Sequence, residues 1–192
     1  GSVAINGGAV TTTGGQSYGG AIILGADTLM AAGAGNITLN GTVNDATSGT
    51  HSLTLNSTGV TTLQAAVGDT AALRSVTTNA GGTLVMNGGA ITTTGAQNYG
   101  QAVSLGDNTT LTSTSAGDIR LGSTLDGAYS LSVNTSGVTR LDGVVGGVTP
   151  LTSLTTDAPG SVLMNGSSVT TTGAQTYNDV VTLGAQVTFT ST

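Results

Sequence analysis

Asn87-Gly-Gly-Ala-Ile-Thr-Thr-Thr-Gly-Ala-Gln-Asn-Tyr99 is one of three versions of the same stretch. The first is Asn6-Gly-Gly-Ala-Val-Thr-Thr-Thr-Gly-Gly-Gln-Ser-Tyr18, and the third is Asn165-Gly-Ser-Ser-Val-Thr-Thr-Thr-Gly-Ala-Gln-Thr-Tyr177. The tyrosines stand 81 and 78 residues apart. The 192 residues therefore divide into a module at 6–86, a second at 87–164 and the opening of a third at 165–192. A long internal period is the mark of stacked repeats. No linker or shift in composition separates the modules, so 1–192 reads as one continuous segment of a larger array.

A shorter period lies inside the module. Leu111, Gly117 and Leu121 set the pattern, and Leu131, Gly137 and Leu141 repeat it, as do Leu154, Gly160 and Met164. Leu53, Gly59 and Leu63, then Val76, Gly82 and Met86, carry it in the first module, and Met30, Gly35 and Leu39 form a version one residue shorter. Each unit reads as strand, turn, strand. Gly35, Gly59, Gly82, Gly117, Gly137 and Gly160 are read as structural turn residues that supply backbone freedom. The flanks alternate apolar and hydroxyl residues, as in Leu53-Thr-Leu55 and Leu131-Ser-Val133, which is the period of a half-buried strand. The spacing predicts three or four rungs per module.

Composition supports strands throughout. The chain has 32 Gly and 38 Thr, but no Glu and no Lys, which are strong helix formers. Threonine is β-branched and suits the pleat. The fold class predicted is all-β, a β-helix (β-solenoid) of ~80-residue modules. Tandem immunoglobulin-like β-sandwiches are the alternative. They need bulky residues between two sheets, and this chain has one Phe, four Tyr and no Trp. Disorder fits poorly with a hydrophobic content of 37% at only 6% charged residues. A net charge of −6 with three Arg argues against nucleic acid and anionic membranes as partners. The longest apolar run is Ala21-Ile22-Ile23-Leu24, so no membrane insertion is expected. With no Cys there is no disulfide framework and no thiolate metal site.

Thr-Gly-Ala-Gln-Asn-Tyr99-Gly-Gln-Ala-Val-Ser-Leu-Gly, with Thr109-Thr-Leu-Thr behind it, resembles the β-strand repeats of large bacterial surface proteins. These include autotransporter passengers and filamentous-haemagglutinin-like adhesins. Thr-Gly-Ala-Gln-Thr-Tyr177-Asn-Asp-Val-Val-Thr-Leu-Gly is similar to them again. The resemblance implies a right-handed parallel β-helix, exported to the bacterial cell surface, that forms the shaft of an adhesin or filament. It names a class of protein and no ligand.

Chemistry is hard to find in the residues. His51 is the only histidine, and Tyr129 stands at its place in the second module. The chain offers no Ser–His–Asp set and no second imidazole for a metal. Most aspartates change between copies: Asp118 aligns with Asn36, Asp157 with Asn79, Asp142 with Gln64, Asp179 with Gln101 and Asp69 with Gly147. Only Asp45 and Asp126 are read as recurring. An Asp-to-Asn exchange keeps turn hydrogen bonding and discards charge. Arg74, Arg120 and Arg140 align with Thr152, Thr38 and Thr62 and read as solvated outer-face positions. Tyr18, Tyr99 and Tyr177 are the candidate ligand face, an aromatic platform for sugar, against a reading as core-edge residues with the hydroxyl at the rim.

The expectation is a non-catalytic structural stalk or shaft segment of a secreted or cell-surface bacterial adhesin or extracellular filament. Its partners are neighbouring repeats of the same chain or further copies stacked end to end. A solenoid module that binds surface glycan or a host receptor is the alternative function. No cofactor is expected, and calcium at an Asp-lined loop is the one ion left open.

Overall fold

The computed structural model describes residues 1–79 and 81–192. Its described residues form 25 strands and no helix, and every strand pairing is parallel. A parallel pairing between short strands of one chain needs a long return path. Here the path is the rest of the turn. Val3 pairs with Ile22 and Thr28 with Leu53, so partners on adjacent turns lie 19 to 25 residues apart. The chain is a β-solenoid of about 9 turns.

Three sheets wrap one core. The first face stacks Val3–Ile5, Ile22–Leu24 and Val43–Asp45, continues through Val67 and Leu73, and resumes with Ala90–Thr93, Thr109–Ser113, Ser130–Asn134, Ser153–Thr156 and Gln175–Tyr177. The second is an unbroken nine-stranded sheet: Ala9–Thr11, Thr28–Gly33, Ser52–Ser57, Ser75–Thr78, Gln97–Tyr99, Ile119–Leu121, Val138–Leu141, Ser161–Met164 and Val180–Leu183. The third runs from Gln16–Tyr18 through Ile37–Leu39, Val60–Leu63, Thr83–Met86, Ala102–Leu105 and Leu125–Asp126. It then passes through Val145 and Leu151 to Ser168–Thr171 and Thr188–Ser191.

Alternation along each strand sends every second side chain inward, and register stacks the inward ones into columns. One column on the second face runs Val10, Met30, Leu55, Thr78, Tyr99, Leu121, Leu141, Met164, Leu183. Burying each such aliphatic stabilises the stack by about 1.5–3 kcal/mol. Threonine is not confined to the outer face, as the alternation suggested. Thr28, Thr61, Thr78, Thr93, Thr109, Thr139, Thr156 and Thr171 are all buried. Several of them turn the hydroxyl onto a nearby carbonyl, as Thr93 does onto Gly95 O at 2.6 Å.

The rung count is neither three nor four. The repeated strand Ala9–Thr11 lies on the second face, Ala90–Thr93 on the first and Ser168–Thr171 on the third. Counting Val67–Leu73 and Val145–Leu151 as strand positions, each module spans eleven of them. Eleven positions on three faces make three and two-thirds turns. Successive modules are thus displaced by a third of a turn around the axis.

Candidate functional site

The repeated motif builds a corner. Gln97 is fully buried, and its amide donates to Ile91 O, to Thr93 Oγ1 and to Thr112 O on the next turn. The Tyr99 hydroxyl donates to Gln97 Oε1 at 2.8 Å. Gln16 with Tyr18, and Gln175 with Tyr177, make the same bonds. Tyr99 is 0% exposed, and Tyr18 and Tyr177, in the first and last turns, are half-buried. The three tyrosines lie on three different faces, so they form neither a row nor an outer platform. Burial holds the Tyr99 hydroxyl far above its ordinary range and pushes that of Tyr177 up to about 12.

The six turn glycines serve a purpose other than the one expected. Only Gly82 has a left-handed backbone, with φ of +72°. At all six, a Cβ would strike the turn beneath: 2.4 Å from Gly15 N at Gly35, 2.2 Å from Gly95 C at Gly117, and 2.5 Å from Thr135 O at Gly160. Close approach of backbone to backbone, turn upon turn, is what requires glycine there. Gly35, Gly59 and Gly82 stack along one edge of the solenoid, and Gly117, Gly137 and Gly160 stack along another.

The three arginines and the histidine fall in two clusters, with Asp27, Asp45 and Asp142. In the first, Asp45 is buried and accepts from the backbone N–H groups of Thr47, Thr50 and His51 and from His51 Nδ1 at 2.6 Å. Burial alone would raise the Asp45 carboxyl, but these four donors outweigh it and hold the group below its ordinary value. Sequence reasoning missed this pair, since six residues separate its members in a loop with no pattern. The contact fixes the orientation of the imidazole, and no hydroxyl among the described residues bonds the other ring nitrogen. Beside it, Asp27 accepts from Ser52 N at 2.8 Å and pairs with the Arg74 guanidinium at 2.9 and 3.0 Å. The Ser52 bond and the Arg74 charge hold the Asp27 carboxyl below its ordinary value.

Asp45 and Asp126 are not the recurring pair the alignment suggested. Val43 bridges Val67 as Leu125 bridges Val145, which makes Asn44 the counterpart of Asp126. Asn44 Oδ1 accepts from Thr70 N and Ala71 N, and Asp126 Oδ1 from Val148 N and Thr149 N. Both hold the loop that bulges from the stack between the two bridges of its turn. The carbonyl or carboxylate oxygen is what is retained, and the charge is not.

In the second cluster Arg120 and Arg140 are register partners, replacing the Thr38–Thr62 pair of the first module. Both point outward and are 40% exposed. Asp142 separates the two like charges: Arg120 Nε reaches its Oδ2 at 2.5 Å, Arg140 Nη2 stands 3.7 Å from Oδ1, and Asn165 donates at 2.6 Å. Burial would raise the Asp142 carboxyl, but Asn165 and the arginines prevail and lower it. Among the described residues no group of three His, Cys, Asp or Glu is placed to hold a metal.

No family model matches the chain, and no curated protein or solved structure is significantly similar to it.

Proposed function

We propose that this chain is a structural shaft segment of an extended extracellular rod on the bacterial surface, lengthened by stacking further turns on its ends. The observation that carries this reading is the buried network of the repeated motif, in which the Gln97 amide bonds its own turn and Thr112 O of the next, so that the stack is held turn to turn. Val181 and Leu183 continue the core columns of Val162 and Met164, which are buried at 0% and 1% exposure. Val181 and Leu183 themselves are 37% and 51% exposed, and Phe189 is 45% exposed. With Gln175 and Tyr177 they line an open recess of about 490 Å³. Apolar columns and ladder edges of this kind accept another turn in the same register. The same glutamine bonds recur in all three copies of the motif, which is spent on joining turns.

The test is light scattering and small-angle scattering over a concentration series. End-to-end association should produce rods that lengthen by about 43 Å per added copy, nine turns at ~4.8 Å each. Leu183→Lys with Phe189→Lys should suppress the lengthening and leave the β circular dichroism signal intact. A strictly monomeric wild type at high concentration would count against stacking of separate copies.

A further inference from the structure

One buried corner differs between the modules in a way that changes its chemistry. Gln101 is fully buried, and its amide donates to Gly81 O one turn below at 2.9 Å and to Ser57 O two turns below at 3.0 Å. Seventy-eight residues on, Thr135, Pro159 and Asp179 occupy the corresponding places. Carbonyls accept and cannot donate, and a carboxylate cannot donate either. Asp179 is only 9% exposed, and neither of its oxygens makes a hydrogen bond with a described residue. An ionised group buried without a partner is costly.

The surroundings add oxygen, and the nearby Thr156 hydroxyl stands outside hydrogen-bond geometry. A point above Gly160 Cα, where a Cβ would stand, lies 2.5 Å from Thr135 O, 2.8 Å from Asp179 Oδ1 and 3.0 Å from Gly137 O. Because residue 160 is glycine, no side chain fills the space between these oxygens. The Asp157 carboxylate, whose Oδ1 takes Thr135 N–H at 2.9 Å, adds negative charge to the same corner. Burial raises the Asp179 carboxyl above its ordinary value and Asp157 raises it further, while the nearby Thr156 hydroxyl eases the shift. A proton joins only one pair of these oxygens. A hard cation gathers all of them.

We propose that the corner formed by Asp179 and the carbonyls of Thr135 and Gly137 binds a calcium ion, which ties the ninth turn to the seventh. Calcium takes oxygen ligands only, in flexible geometry, and a site with one direct carboxylate belongs to its weak class, with Kd on the order of 10⁻⁴–10⁻³ M. Magnesium demands a tighter octahedron and is excluded by main-chain carbonyls fixed in a ladder.

The experiment is thermal unfolding and calorimetric titration of the whole chain in EDTA and in about 5 mM calcium or magnesium. Calcium should raise the Tm of the wild type by about 4 °C, and magnesium should not. Asp179→Gln, which restores the amide of the first module, should be more stable than wild type in EDTA and unresponsive to calcium. Gln101→Asp, which copies the acidic corner into the first module, should raise the calcium stoichiometry from one to two. An equal calcium response in wild type and Asp179→Gln would overturn the proposal by placing the ion elsewhere. So would a wild type indifferent to calcium and stabilised only as pH falls, because the corner would then hold a proton.

Discussion

At the scale of single residues, the side chains that matter most join one turn to the next or hold a loop against the stack. Asp45 gathers four donors onto one buried carboxylate. Asp45→Ala should cost about 3 kcal/mol, since it leaves buried N–H groups unpaired. The pH dependence has a definite sign. The folded pKa of Asp45 lies below its unfolded value, so its contribution is complete above about pH 4 and is lost as pH falls through the folded value. The Tm of the wild type should drop more steeply than that of Asp45→Asn on acidification below pH 4, and an identical slope would refute the assignment. The sequence offered little warning of this pair, because the loop that carries it occurs once. The Gln–Tyr corner, by contrast, was visible as a threefold motif. Its inward direction was not, because an aromatic with a hydroxyl suits either a rim or a core.

Among the structural elements, the strands were the most legible part. Alternation of apolar and hydroxyl residues set their faces, as in Ser130–Asn134, where Leu131 and Val133 point in. The glycines of the turns answer to close packing between turns, and proximity between turns leaves no trace in a local pattern. The distinction is measurable. Gly117→Ala places a methyl 2.2 Å from the Gly95 backbone and should destabilise the chain by about 3 kcal/mol. Gly14→Ala meets nothing within 4 Å and should change stability by less than about 0.5 kcal/mol. Denaturant midpoints of the two variants decide between crowding and backbone freedom.

For the molecule as a whole, the continuous ladders make cleavage a matter of unfolding. Arg120 and Arg140 sit inside paired strands, and Arg74 N–H is bonded to His51 O on the turn below. Trypsin should leave the native chain intact and cut at all three Arg once denaturant opens the stack, with gel electrophoresis as the readout. Rapid native cutting at all three would contradict a continuous rod. The solenoid itself was legible from the period and the composition. The number of turns per module was not, because a whole number was sought where the chain uses a fraction.

That fraction works like a vernier. In any run of such modules, a bulging loop or a Gln–Tyr corner returns to the same side only after three modules and eleven turns, about 53 Å. Whatever curvature the loops of one module impose is turned by a third of a circle in the next and cancels over three. A uniformly staggered array therefore comes out straight and looks alike from every direction, with no flank singled out for lateral aggregation.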